Sequence, residues 1–77
     1  MVVYHVCSSK KLQRYLQCGH INPPVRAWET IQQAERFSKS TGRKIILRLK
    51  FPSTCDKLPG HFNQARVLNT RYRLESI

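Results

Sequence analysis

The stretch VVYHVCSSKKLQRYLQCG, residues 2–19, passes from one backbone periodicity to another. Residues 2–6 alternate as a strand does, with Val2, Tyr4 and Val6 on one face and Val3 and His5 on the other, because successive side chains of an extended chain point to opposite sides. Ser8 or Ser9 then offers a hydroxyl to the free N–H groups of a first helical turn. Leu12, Tyr15 and Leu16 follow at helical spacing as one apolar stripe, and Lys10, Lys11, Arg14 and Gln17 take the outer face of a helix over residues 10–18. Gly19 stops that helix, since glycine enters the left-handed region without a Cβ clash.

Outward from this unit, Pro23 and Pro24 forbid helix, so residues 20–24 are a connection. Residues 25–28 read as a short strand. Thr30 and Gln33 fit a capping box. The second helix then runs to about residue 41, with Ile31, Ala34, Phe37 and Ser38 inward and Gly42 as its stop. Residues 43–51 are the clearest strand: Ile45, Leu47, Leu49 and Phe51 alternate with Ile46, Arg48 and Lys50 until Pro52 ends the run. Residues 53–62 read as a loop. Residues 65–68 and 72–74 are the last extended segments, with Asn69 and Thr70 as the turn between them. The expected fold is α+β, a small mixed β-sheet with two helices in the order β-α-β-α-β-β(β), without internal repeats.

At 77 residues the chain has room for one domain. A domain of this size buries only ~60% of the surface of its unfolded chain, so a large ligand cavity or a second layer of helices is not expected. Lys and Arg number 14 against 4 acids, a net charge of +10. Such self-repulsion weakens a compact state unless an anionic partner offsets it, and a nucleic-acid backbone is the commonest such partner; the alternative is a merely solubilising surface. The N-terminal residues lack the pattern of a signal peptide, no apolar run is long enough to span a bilayer, and the odd set Cys7, Cys18 and Cys55 is not a disulfide framework. A reducing, cytoplasmic location is expected. His5-x-Cys7 and Cys18-x-His20 are spaced too closely for a structural zinc site, so no metal is expected.

Tyr4-His5-Val6-Cys7-Ser8, then Leu12, Leu16, Gly19, Ile21 and Pro23, then Ala34, Phe37, Gly42 and the apolar strand after it stand in order. This series over residues 2–51 resembles the opening of the ADP-ribosyltransferase superfamily, in particular the RNA 2′-phosphotransferases and the toxins that modify single-stranded DNA. The resemblance implies NAD as a possible cofactor, with His5 on a ribose hydroxyl and Ser8, Trp28 and Thr30 around the nicotinamide end. Two positions depart from the pattern. Val6 stands where the family has glycine, and no acid occurs between Asp56 and Glu75, where many members place a catalytic Glu. Arg66 takes the neighbourhood of that Glu as an anion contact, with His5 as its partner in any surviving chemistry. A minimal or degenerate version of the fold is implied.

The cations define a candidate nucleic-acid surface: Arg48, Lys50, Arg66, Arg71 and Arg73 on the later strands, and Lys10, Lys11 and Arg14 on the first helix. A further group, Arg36, Lys39, Arg43 and Lys44, collects at the end of the second helix. Same-face cations on neighbouring strands repel, and phosphates would offset that; the bland alternative is a solvated face. For Trp28 the alternative to base stacking is a core role. The expected function is a small basic nucleic-acid-binding domain of ADP-ribosyltransferase-like shape. An active NAD-dependent transferase on DNA or RNA is the second reading. A toxin-like ribonuclease using His5, His20 or His61 is the third, and a partner protein remains a further option.

Overall fold

The computed structural model describes residues 1–60 and 63–74. His61, a candidate in the ribonuclease reading, lies outside them. The elements are β1 (Val2–Cys7), α1 (Ser9–Cys18), β2 (His20–Ile21), β3 (Val25–Trp28), α2 (Ile31–Thr41), β4 (Ile45–Lys50), β5 (Asp56–Lys57), β6 (Ala65–Leu68) and β7 (Tyr72–Arg73). The chain is a small α+β fold with two helices. Two strands are additional to the expected order, β2 in the connection before the prolines and β5 in the loop after Pro52. Both are two residues long, too short for an alternation to register in sequence.

One sheet has the order β4-β1-β3-β6-β5, and β2 pairs with β7 in a separate ribbon. Every pairing among the described residues is antiparallel. β1 and β4 pair along their whole length, from Val2 opposite Lys50 to Cys7 opposite Ile45. By contrast β1 and β3 pair only where Tyr4 faces Trp28.

Facing residues of paired strands share a face. Val3, Leu49, Val25 and Ala27 therefore lie on one side of the sheet, and with Ile21 and Phe51 they form the buried core. Tyr15 from α1 and Tyr72 and Leu74 from the β2–β7 end of the chain pack against it. The opposite side carries Tyr4, Trp28 and Val6; α2 packs over β1, β3 and β4 there, with Phe37 against Trp28 at a centroid distance of 5.7 Å. The helices thus lie on opposite faces, although so short a chain suggested a single helical layer. Each end of this arrangement is stapled. Met1 exchanges hydrogen bonds with Phe51 to close β1 on β4, and Leu74 N–H donates to the Gly19 carbonyl at 3.0 Å to extend the ribbon.

The helices form where their caps allow. Ser8 accepts from Lys11 N–H at 3.2 Å, and Thr30 accepts from Gln33 N–H at 3.3 Å. Gly19 and Gly42 sit at φ 79° and 73°, each donating back to a carbonyl of its helix's last turn. Of the expected α1 stripe, Leu12 and Tyr15 are half-buried, but Leu16 is 51% exposed. The outer edge of β4 is guarded: Lys50 N–H donates to the Tyr72 hydroxyl at 2.9 Å, and Arg48 and Lys50 flank the edge, a combination that discourages strand addition.

A Cβ at Gly42 would touch nothing within 4 Å, so only backbone conformation opposes substitution there. Gly42→Ala is expected to cost about 1 kcal/mol, and Gly42→Asn clearly less, because asparagine tolerates the left-handed region. Urea titrations check this as a lowered midpoint at constant slope.

Candidate nucleotide cleft

Beyond the Tyr4–Trp28 pair, the ladder between β1 and β3 does not continue. His5 fills the gap. Its Nδ1 lies 2.6 Å from the Arg26 carbonyl oxygen and its Nε2 lies 3.2 Å from the Tyr15 hydroxyl. A carbonyl only accepts, so Nδ1 carries the proton in this pairing, and Nε2 of the neutral ring accepts from Tyr15 O–H. The ring thereby ties β3 to β1 and β1 to α1.

A cleft of about 700 Å³ lies beside this break in the ladder. No large cavity is expected in so short a chain; this cleft is lined in part by the core residues Ile21 and Ala27. Lys11 from α1, Arg26 from β3 and Arg43 just past α2 line it. So do the rings of Tyr15, Trp28 and Phe37, with Val6, Ile21, Ala27 and Ala65 behind them. Among the described residues no carboxylate lines the cleft. Arg43 is held in place over the Phe37 ring, 6.0 Å from its centroid, and its carbonyl accepts from Ser38 Oγ.

Burial holds the His5 pKa below its ordinary value, with the charges of Lys11 and Arg43 acting in the same direction against the opposing hydrogen bond to Arg26. Burial also pushes the Tyr15 phenol upward, so it stays a donor, and raises the Cys7 thiol, which argues against a nucleophilic cysteine there. Both ring nitrogens of His5 are thus engaged inside the protein.

The expected site residues are divided by the structure. His5 and Trp28 line the cleft together with Lys11. Ser8 and Thr30 are helix caps; Thr30 also donates to Gln64 at 3.2 Å. Arg66 is committed elsewhere: its Nε lies 2.8 Å from Glu29 Oε2, the two side chains being 19% and 25% exposed, and it donates also to the Cys55 carbonyl. It faces Ala27 and so lies on the side of the sheet opposite Arg48 and Lys50, which face Val2 and Tyr4. Arg71 and Arg73 are exposed at the β2–β7 ribbon, with Arg73 opposite His20. Lys10 and Arg14 are exposed on α1. The later-strand cations therefore do not form one surface. Arg26 and Phe37 were not singled out as site residues in sequence. A lone arginine in a four-residue strand carries no signal of its own, and an inward Phe reads as core.

No helix is long and apolar enough to cross a membrane, and no group of three or more metal-ligating side chains occurs among the described residues. Compared with protein-family models, curated proteins and solved structures, the chain matches none.

Because the folded state holds His5 neutral while the unfolded chain titrates near the ordinary value of 6.5, the unfolded state binds more protons as pH falls below that value. Its contribution to stability is complete above pH 6.5 and is lost as pH falls from there toward the lowered folded pKa. Urea midpoints at pH 7.5 and 5 should therefore differ more for the wild type than for His5→Gln. Tyr15→Phe removes the donor that favours the neutral ring, so the His5 pKa followed by NMR should rise.

Proposed function

We propose that this chain is a nucleic-acid-binding domain and that the cleft between β1 and β3 receives one nucleotide of the bound strand. The observation that carries the reading is the lining: three cations, no carboxylate among the described residues, and three aromatic rings around one cleft. Cations without acids attract phosphate, and aromatic faces accept any base. Stacking a base on such a ring is worth about 1–3 kcal/mol. Each phosphate neutralised releases counterions, so affinity falls with salt by about 0.7 in log–log slope per contact on a single strand. The net charge of +10 supplies the long-range attraction.

A second reading keeps NAD as the ligand. The resemblance over residues 2–51 supports it, as does the presence of His5 and Trp28 in one cleft. Against it stand the engagement of both His5 nitrogens, the capping roles of Ser8 and Thr30, and the pairing of Arg66 with Glu29. In this reading NAD shifts the NMR signals of His5 and Trp28 at millimolar concentration, and the cleft then serves a transferase. The ribonuclease reading lacks a second histidine in the cleft among the described residues.

Fluorescence anisotropy with a labelled oligonucleotide across a salt series tests the main proposal. Affinity should fall steeply with salt, and Lys11→Ala and Arg43→Ala should each weaken binding and flatten the slope by about 0.7. Binding indifferent to salt, or unchanged in both variants, would overturn it.

A further inference from the structure

On the side of the sheet that carries α2, the helix covers only one end. Along β1, Val6 is buried, whereas Tyr4 and Val2 remain half-exposed. Across from them on β4, Arg48 faces Tyr4 and Lys50 faces Val2, and both cations are exposed. Among the described residues neither cation is in an ion pair, and the Tyr4 hydroxyl has no hydrogen-bond partner. An antiparallel pair brings facing Cβ atoms within about 5 Å, so Tyr4 and Arg48 leave the sheet side by side on this face. Two residues along the strand, about 6.6 Å away, Lys50 repeats the charge beside Val2. β1 and β4 place no carboxylate on this face. The row Arg48, Tyr4, Trp28 then runs across three strands to the mouth of the cleft, which Trp28 also lines.

We infer that this open sheet face is a track for single-stranded nucleic acid, leading a strand across the sheet into the cleft. One base stacks on Tyr4, and the backbone phosphates on either side of it lie on Arg48 and Lys50. The inference rests on the nucleic-acid reading of the cleft and adds to it the substrate class. A duplex keeps its bases stacked on one another and offers none to Tyr4, whereas a single strand offers every base in turn. The mixture on the face also favours this occupant. Two cations beside an unbonded aromatic ring suit a chain that alternates phosphate and planar base.

The test compares binding of a labelled single-stranded oligonucleotide and of a hairpin duplex of the same composition. The wild type should prefer the single strand. Tyr4→Ala should weaken single-strand binding about tenfold with the salt slope unchanged, and Tyr4→Phe, which keeps the ring, should stay within about twofold. Arg48→Ala with Lys50→Ala, both at exposed positions and so neutral to folding, should flatten the single-strand slope by about 1.4. Equal affinity for duplex and single strand, or single-strand binding indifferent to Tyr4→Ala and to the double substitution, would overturn the track. If that binding still fell in Lys11→Ala and Arg43→Ala, the cleft reading would survive alone; absence of any binding by the wild type would remove both.

Discussion

The Arg26 carbonyl turns toward β1, and the group that meets it is the imidazole of His5. On that substitution of a side chain for a ladder bond depends most of what is distinctive here. With the imidazole in place the ladder stops after one pair, and β1 and β3 are tied there by a hydrogen bond of 2.6 Å. The same ring reaches α1 through Tyr15 and so fixes where Lys11 stands. Burial keeps it neutral, which suits a bridging role: neutral imidazole donates at one nitrogen and accepts at the other, whereas the charged ring donates at both and would face the Tyr15 hydroxyl donor to donor.

Charge and packing are reconciled by position. Ten net positive charges on a short chain tend to disperse it. The described acids are few and Glu29 is spent on Arg66, half-buried between β3 and β6. The remaining cations are left to solvent, on both helices, on and just before β4, on β5, at the β2–β7 ribbon and around the cleft. The cleft concentrates three of them beside rings. A cleft that is cationic and aromatic at once is thus lined by residues of β3, of both helices and of the turn after α2.

Much of the fold was legible in the residues. Ser8, Gly19, Thr30 and Gly42 mark helix ends through chemistry local to a few positions, and the structure places caps at all four. The strand at residues 25–28 and the one at 65–68 were readable from short apolar alternation between turn formers. The strands β2 and β5 were not, because two residues hold no period and form only where a partner strand happens to lie. Leu16 shows the limit of a helical stripe: spacing gave it an inward place, yet the face it shares meets too little of the sheet to bury it. Of the candidate site, His5 and Trp28 were visible as unusual residues at strand positions, and Lys11 as one cation among several.

The sequence by itself determined the class of the chain, a small α+β fold, with its helix limits and its excess of positive charge, because capping, periodicity and charge are properties of neighbours along the chain. Tertiary structure alone decided which cations share a surface. Register sets Arg48 and Lys50 beside Tyr4 and Val2 and sends Arg66 to the other face, toward Glu29. It also decided that the β1–β3 ladder stops after a single pair and that Arg26, Arg43 and Phe37 line one cleft beside it. Those choices rest on pairings across the sheet and between layers. A one-residue slip exchanges the two faces of a strand, and no local pattern in these short strands records it.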